Sequence, residues 1–236
     1  NWVLVSIFIN PTQFNNANDL TKYPKNTAKD LELLTPYNTK LIVYTPDDSD
    51  LYPKAINDKK YNFGSLAEHM EGAFRDNHFN GVATVVEALF RNLKPDRAYF
   101  GEKDFQQLQI IKVLNDQLNL GIKIIGCPII REIDGIAMSS RNQLLNKKER
   151  NAAPIIHQTL QKIAENNDHW DVNYMNHFFK KSVEENFFLR VEYFFVAEEA
   201  TLIPVSHLKK QNDYRIFVAV NAGKTRRIDT LKLGRI

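Results

Sequence analysis

Apolar runs alternate with amphipathic segments along the first two-thirds of the chain. Val3–Ile9 is a continuous apolar run rich in β-branched residues, as expected of a parallel strand covered on both faces. Shorter apolar runs predict strands at Leu41–Tyr44, Arg97–Phe100 and Ile122–Ile130. Helical spacing predicts helices over Thr27–Leu34, Ser65–Met70, Val82–Leu93 and from Asp104 to about Leu118. This alternation is typical of an α/β sheet.

Polar residues mark the expected ends of these helices. Thr27 with Asp30 resembles a capping box, and Ser65 is placed to cap the next helix. Asp104 is placed either to cap the helix that follows it or to accept hydrogen bonds from a ligand. Gly72–Gly81 is expected to form a polar loop.

The pattern changes near Ile130. Asp134-Gly135 predicts a hairpin turn, and Asn146 with Glu149 predicts the start of a helix that reaches about Ala164. The remaining predicted elements are a helix over Val172–Asn186 and strands at Arg190–Val196, Tyr214–Val220 and Lys224–Asp229. We therefore expect residues 1–130 to form an α/β domain and residues 131–236 a smaller α+β domain.

Composition narrows the class of protein. With 43% hydrophobic residues, the 236-residue chain is too apolar for intrinsic disorder, and its longest apolar run, Trp2–Ile9, is too short to span a bilayer. The net charge of +3 is spread along the chain and gives no support for nucleic-acid binding. The single cysteine, Cys127, permits no internal disulfide, which fits a reducing cytoplasm.

Several common catalytic devices are absent from the sequence. It contains no G-x-G-x-x-G or G-x-x-x-x-G-K-[ST] phosphate loop, no H-x-x-x-H zinc spacing and no G-x-S-x-G nucleophile elbow. An enzyme with this sequence would therefore bind the charged groups of its substrate with residues outside these motifs.

The most informative segment runs from Gly101 to Gln107, where a predicted strand meets a predicted helix. Open α/β sheets bind ligands at such strand ends, and the helix N-terminus favours an anion. Gly101 permits close approach of a ligand, and Lys103 supplies a mobile positive charge. Gln107 begins an apolar helix face and needs a polar partner there. A capped helix with no ligand is the alternative from these residues alone.

Three other segments carry candidate groups. Met138-Ser139-Ser140-Arg141-Asn142 offers hydroxyls and a guanidinium suited to a polyphosphate, or simply a helix cap with a surface arginine. Asn10-Pro11-Thr12-Gln13 places an amide at a strand end, or forms a solvated proline turn. The segment from Glu71 to Phe79 contains Arg75 and His78, and either binds a ligand or only connects elements.

In combination these segments resemble the pantoate–β-alanine ligase (pantothenate synthetase) family of the nucleotidylyltransferase superfamily. The matching segments occur in the family's order and extend over essentially the whole chain. They are Val5–Phe14, Tyr23-Pro24, Glu71-Gly72, His78-Phe79, Gly81-Val82, Gly101–Gln107, Met138–Asn142 and Arg227-Ile228-Asp229.

The resemblance implies a Rossmann-like nucleotidylyltransferase domain whose first strand is absent from this chain, followed by an α+β lid. It implies that pantoate and MgATP form pantoyl adenylate, which β-alanine converts to pantothenate, in a cytoplasmic homodimer. Gln13 and Gln107 would hold pantoate, Gln13 would also lie near β-alanine, and Asn10 and Arg75 would support them. ATP would contact Gly101, Glu102, Lys103, Asp104, Ile130, Met138, Ser139, Ser140 and Arg141, and the catalytic members would be Lys103, Ser139, Ser140 and Arg141.

The chain departs from the family pattern in one respect. The family carries an H-x-G-H segment whose histidines stabilise the ATP phosphates, and no such segment occurs here. We therefore expect residues 1–236 alone to be inactive, and pantothenate formation by them would contradict this. The alternatives are a truncated non-catalytic paralogue that dimerises or binds ligands, and another adenylyltransferase of the superfamily.

Overall fold

The computed structural model describes residues 2–14, 17–52 and 59–234. The strands are β1 (Val3–Ser6), β2 (Leu41–Tyr44), β3 (Arg97–Gly101), β4 (Lys123–Cys127), β5 (Leu189–Glu198), β6 (Tyr214–Ala222) and β7 (Thr225–Lys232). The helices are α1 (Ala17–Lys22), α2 (Thr27–Leu34), α3 (Asp48–Leu51), α4 (Glu71–Phe74), α5 (His78–Leu93), α6 (Phe105–Gln117), α7 (Lys147–Ala152), α8 (Ile155–Glu165) and α9 (Val172–Glu184). Among the described helices, none is long and apolar enough to cross a membrane.

The N-terminal strands pair in parallel, which confirms the expected α/β class. β1 pairs with β2, and β3 pairs with β4, as two separate sheets. β1 ends at Ser6 and not at Ile9, and its side chains at Val3 and Leu4 are 55% and 40% exposed. The predicted burial on both faces is therefore wrong for the described residues, because β1 has only β2 as a strand neighbour there.

Helices α5 and α6 supply the core of the N-terminal region. Val82, Val86 and Phe90 of α5 pack with Ile111 and Leu114 of α6 in one buried apolar cluster. At Gly81 of α5, an added Cβ would lie 2.2 Å from the backbone oxygen of Thr12. Because a methyl group cannot fit there, glycine lets the segment after β1 lie directly against α5.

The C-terminal region is an antiparallel sheet in the order β5-β6-β7, with helices packed on it. Leu160 of α8 and Met175 and Phe179 of α9 are fully buried against Val196 and Val218 of the sheet. A third cluster joins the two regions, because Met70, Phe105 and Leu108 pack with Tyr193 and Phe217. The two regions therefore share buried apolar contacts next to the N-terminus of α6.

The polar residues predicted to cap helices do not do so at two positions, although the apolar spacing predicts most helices correctly. Asn26, and not Thr27, caps α2, since its side chain accepts from the backbone N–H of Lys29 at 3.1 Å. The segment predicted as a helix from Ser65 to Met70 is a short 3₁₀ helix, Gly64–Ala67, without a side-chain cap.

Two longer predictions also need correction. Gly72–Gly81 is not a polar loop, because it contains most of α4 and the start of α5. The single helix expected up to Ala164 is two helices, α7 and α8, that meet at Pro154, which lacks the amide hydrogen needed to continue a helix.

Candidate active site

A cavity of about 710 Å³ opens where β3 ends and α6 begins. Its other walls come from α4, from the segment around Ser139 and from the β6–β7 hairpin. Its charged walls carry seven cationic and three anionic side chains: Lys22, Arg75, Lys103, Arg141, Lys224, Arg226 and Arg227 against Glu71, Asp104 and Glu192. Such an excess of positive charge in a cleft attracts a multiply charged anion.

Lys103 and Asp104 both line this cavity and contact each other. Both lie on the 3₁₀ turn between β3 and α6, with Lys103 Nζ 3.4 Å from Asp104 Oδ2. Asp104 makes no capping hydrogen bond to α6. Of the two roles that the sequence left open for Asp104, the structure therefore excludes capping.

The two neighbouring glutamines of α6 differ in their partners. Gln106 is buried, donates to the backbone oxygens of Leu66 and His69 at 2.8 Å, and accepts from the backbone N–H of Glu71. Gln107 lines a small pocket of about 20 Å³ beside the cavity, and its amide has no hydrogen-bond partner among the described residues. Gln106 therefore holds the backbone around Leu66 to Glu71 in place, whereas the amide of Gln107 can bind a ligand.

Glu71 is the centre of a buried ion-pair network on the opposite wall. It accepts hydrogen bonds from Arg226 at 2.7 and 2.9 Å, from Tyr193 at 2.8 Å and from Arg75 at 3.3 Å. Burial alone would raise the pKa of Glu71, but the hydrogen bonds and charge of Arg226 lower it to about 2. The carboxylate therefore stays ionised and holds both arginines at the cavity wall.

Arg75 connects this network to the segment after β1. It donates to the backbone oxygen of Gln13 at 3.1 Å, and its Nη1 lies 3.1 Å from His78 Nε2. Burial and the charge of Arg75 lower the pKa of His78 to about 4, so the imidazole is neutral near pH 7. His78 therefore donates from Nδ1 to the Gln13 oxygen, 3.0 Å away, and accepts from Arg75 at Nε2.

Asn10 joins the segment after β1 to helix α5. Its side chain donates to the oxygen of Gly81 at 3.1 Å and accepts from the Thr12 backbone N–H, the Thr12 hydroxyl and the Tyr52 hydroxyl. At 2% exposure, Asn10 has these bonds and no access to the cavity. Gln13, which follows it, is not among the residues that line the cavity.

The predicted turn at Asp134-Gly135 presents the serine–arginine segment to the cavity. A bridge between Arg131 and Ala137 closes the turn, and the Met138 N–H donates to the Ile130 oxygen at 2.9 Å. The side chains of Ile130 and Met138 are exposed.

Within that segment, neighbouring side chains face different spaces. Ser139 caps the following 3₁₀ turn and lines the cavity, and Arg141 lies over the ring of Tyr23 at 4.9 Å. Ser140 instead lines a second cavity of about 720 Å³ beside the end of β1.

Two of the residues predicted to contact ATP, Glu102 and Gly101, do not present a side chain to the cavity. Glu102 points away from the cavity and accepts from Arg215 at 3.2 Å. At Gly101 an added Cβ would meet no atom within 4 Å, so the space beside this backbone is open. Among the described residues, no cluster of three or more His, Cys, Asp or Glu is arranged to hold a metal ion.

The sequence did not single out Arg226 and Tyr193 as site residues, although both help to build the cavity wall. One signal was available. Arg226 and Arg227 lie inside a predicted strand, where charged side chains need buried partners or a ligand.

Residues 1–232 match the family described as pantoate-beta-alanine ligase. Pantothenate synthetase of Christiangramia forsetii is 42% identical over 231 residues, which cover 98% of this chain and 82% of the relative. Pantothenate synthetase of Flavobacterium psychrophilum is 40% identical over 230 residues, with the same coverage of each chain.

Solved structures of pantothenate synthetase and pantoate-beta-alanine ligase also match this chain. The pantothenate synthetase of Thermus thermophilus superimposes with a TM-score of 0.90 at 33% identity, covering 98% of this chain and 83% of that one. The pantoate-beta-alanine ligase of Francisella tularensis gives a TM-score of 0.81 at 31% identity, covering 98% and 79%. That protein is complexed with beta-gamma ATP and β-alanine.

Proposed function

The chain belongs to the pantoate–β-alanine ligase family, and from that membership we propose that the full gene product condenses pantoate with β-alanine in this cavity through a pantoyl adenylate. The observation that carries this proposal is the cavity at the end of β3, whose cationic walls lie beside the small pocket lined by Gln107, an amide with no partner among the described residues. The relative from Francisella tularensis, which is complexed with beta-gamma ATP and β-alanine, supports the choice of substrates.

In the first step, a carboxylate oxygen of pantoate attacks the α-phosphorus of MgATP. The new oxygen–phosphorus bond replaces the bond to the β-phosphate, and pyrophosphate leaves with the electron pair. In the second step, the amine of β-alanine attacks the acyl carbon, AMP leaves and the amine loses a proton. Positioning and cancellation of the charge on pyrophosphate supply most of the catalysis in such reactions.

The described residues divide between these tasks. Lys103, Ser139 and Arg141 line the cavity: Lys103 and Arg141 would neutralise charge on the phosphates, and Ser139 would donate a hydrogen bond to them. Ser140 lines the second cavity and would join them only if its segment moved toward ATP. Gly101 would let ATP lie against the backbone, and Asp104 would accept from the ribose hydroxyls. Ile130 and Met138 would contact the adenine side of ATP, and Glu102 would contribute its backbone, because its carboxylate binds Arg215.

Gln107 would bind pantoate directly, since its amide is unpartnered within the described residues. Gln13 is held by Arg75 and His78 through its backbone oxygen, so these residues would fix the position from which its amide reaches pantoate. Asn10 would support the same segment without touching substrate.

We assign ATP and pantoate binding to residues 1–130 and the covering lid to residues 131–236, in a cytoplasmic homodimer. The family resemblance supports these assignments, and light scattering of the purified protein tests the dimer.

Oxygen labelling tests the adenylate. Pantoate labelled with ¹⁸O in its carboxylate is supplied to the full gene product with MgATP and β-alanine, and the phosphate products are analysed by mass spectrometry. Adenylate formation transfers one ¹⁸O to AMP. Label in inorganic phosphate, with ADP as product, would instead indicate an acyl phosphate and contradict the proposal.

A further inference from the structure

Arg227 is a buried cation that forms no ion pair with the residues that the structure describes. Its side chain is 5% exposed and lines the cavity at the end of β3. Nη2 donates to the Ala137 oxygen at 3.1 Å, Nε has no hydrogen-bond partner, and no ion pair to Arg227 occurs within residues 2–14, 17–52 and 59–234. Buried polar groups are nearly always paired, and buried charges above all, so an unpaired guanidinium calls for an explanation.

The other buried arginine among the described residues is bound by carboxylates. Arg215, also 5% exposed, pairs with Glu199 at 2.7 Å and with Glu102 at 3.2 Å. Asp229, two residues beyond Arg227 on β7, is already bound by Arg131 through two hydrogen bonds of 2.7 and 2.9 Å. Within the described residues, Arg215 therefore forms direct ion pairs with carboxylates, whereas Arg227 forms none and the charge of Asp229 acts on it only at a distance.

The surroundings of Arg227 indicate what the missing anion is. The Ala137 oxygen that it binds lies two residues before Ser139, so Arg227 underlies the serine–arginine segment of the cavity. Burial lowers the pKa of Arg227 to about 10; the charge of Asp229 opposes this shift and the charge of Arg141 adds to it. Arg141 and Arg227 therefore repel each other across this corner. An anion with several charged oxygens relieves that repulsion, and a guanidinium fork binds phosphate oxygens in pairs.

We propose that Arg227 is a phosphate-binding residue that takes oxygens of the pyrophosphate portion of a nucleoside triphosphate, together with Ser139 and Arg141. This proposal rests on the ATP-dependent function proposed above. It adds a residue on β7 to the groups that hold the leaving pyrophosphate, and so links the C-terminal sheet directly to the first chemical step.

The test compares Arg227→Gln with Arg190→Gln, which removes the same charge from an exposed position outside the cavity. Glutamine keeps a donor for the Ala137 oxygen. Binding of ATP, inorganic pyrophosphate and adenosine is measured by calorimetry with the full gene product. We expect Arg227→Gln to weaken ATP and pyrophosphate binding at least about tenfold and to leave adenosine binding unchanged. Without ligand, its melting temperature should equal or exceed that of the wild type, because an unpaired buried charge is gone.

Wild-type affinity for ATP and pyrophosphate in a folded Arg227→Gln protein would overturn the role of Arg227 and leave the proposed function intact. A wild-type protein that binds neither ATP nor pyrophosphate would overturn both. If the glutamine variant does not fold, Arg227→Lys replaces it, since lysine keeps the charge and loses the fork. Unchanged pyrophosphate affinity in that variant would again count against the proposal.

Discussion

Arg226 Nη2 donates a hydrogen bond to Glu71 Oε1 across 2.7 Å and so joins β7 to α4, 155 residues earlier in the chain. Tyr193 of β5 donates to the same carboxylate oxygen, which ties a second strand of the C-terminal sheet to α4. Glu71 and Arg226 both line the cavity, and Glu71 also accepts a hydrogen bond from Arg75. Stability and substrate binding therefore depend on the same buried carboxylate.

Glu71→Gln should lower the free energy of unfolding by about 3 kcal/mol at pH 7, because it leaves two partly buried arginines, Arg75 and Arg226, without their shared carboxylate. Urea denaturation measures the loss, with Glu32→Gln on the exposed face of α2 as the control. The pKa of Glu71 lies near 2 in the folded protein, below its ordinary value of 4.5. Its contribution is therefore present above pH 4.5 and is lost as the pH falls toward 2, so the two proteins should converge in acid. A constant difference across that range would argue against the ion pair.

His78 should make the protein less stable in mild acid. Its pKa is lowered from 6.5 to about 4, so the unfolded chain binds a proton between those values and the folded chain does not. Stability should therefore fall by up to about 3 kcal/mol as the pH drops from 6.5 to 4. His78→Asn should flatten the profile over this window, whereas His207→Asn, at an exposed position, should retain it. NMR titration of the His78 imidazole with a midpoint near 6.5 would contradict the expectation.

The adjacent glutamines of α6 give a matched pair of variants. Gln107→Ala should raise KM for pantoate at least about tenfold with no change in melting temperature, because its amide binds no other described group. Gln106→Ala should instead lower the melting temperature, because it leaves the Glu71 N–H and the Leu66 oxygen without a partner and removes one of the two donors to the His69 oxygen. Steady-state kinetics and thermal melts separate the two effects. The assignment fails if the two variants exchange these properties.

Two glycines should respond oppositely to an added methyl group. Gly81→Ala places a Cβ 2.2 Å from the Thr12 oxygen and should cost roughly 2–3 kcal/mol of stability by displacing the segment that carries Gln13. Gly101→Ala meets no atom within 4 Å and should change stability by less than about 0.5 kcal/mol. ATP affinity should nevertheless fall in Gly101→Ala, because the methyl group occupies space proposed for the nucleotide. Full ATP affinity in this variant would place the nucleotide elsewhere.

Apolar periodicity was sufficient to predict most of the fold. The spacing of Val82, Val86 and the other apolar positions predicted α5, and the alternating strands and helices predicted the α/β class. It missed α4 and the first turn of α5, where Glu71 and His78 are buried although they are polar. A hydrophobic pattern cannot register a segment that is buried through ion pairs and hydrogen bonds.

Sequence motifs identified one side of the cavity better than the other. Lys103, Asp104, Ser139 and Arg141 were predicted from local patterns, and all four line the cavity. Arg226 and Tyr193 were missed, because their partner Glu71 is more than a hundred residues away in the chain. The distinction between Gln106 and Gln107 also depends on contacts that helical spacing alone does not fix.

Pantoate-dependent exchange of labelled pyrophosphate into ATP tests the central claim most directly. In the full gene product, Lys103→Ala should reduce the exchange rate by about 10²–10³ without loss of folding, because a positioned cation no longer offsets the charge on pyrophosphate. Lys112→Ala, farther along α6 and facing a different cavity, should exchange at the wild-type rate. An undiminished exchange rate in folded Lys103→Ala would contradict the proposed site.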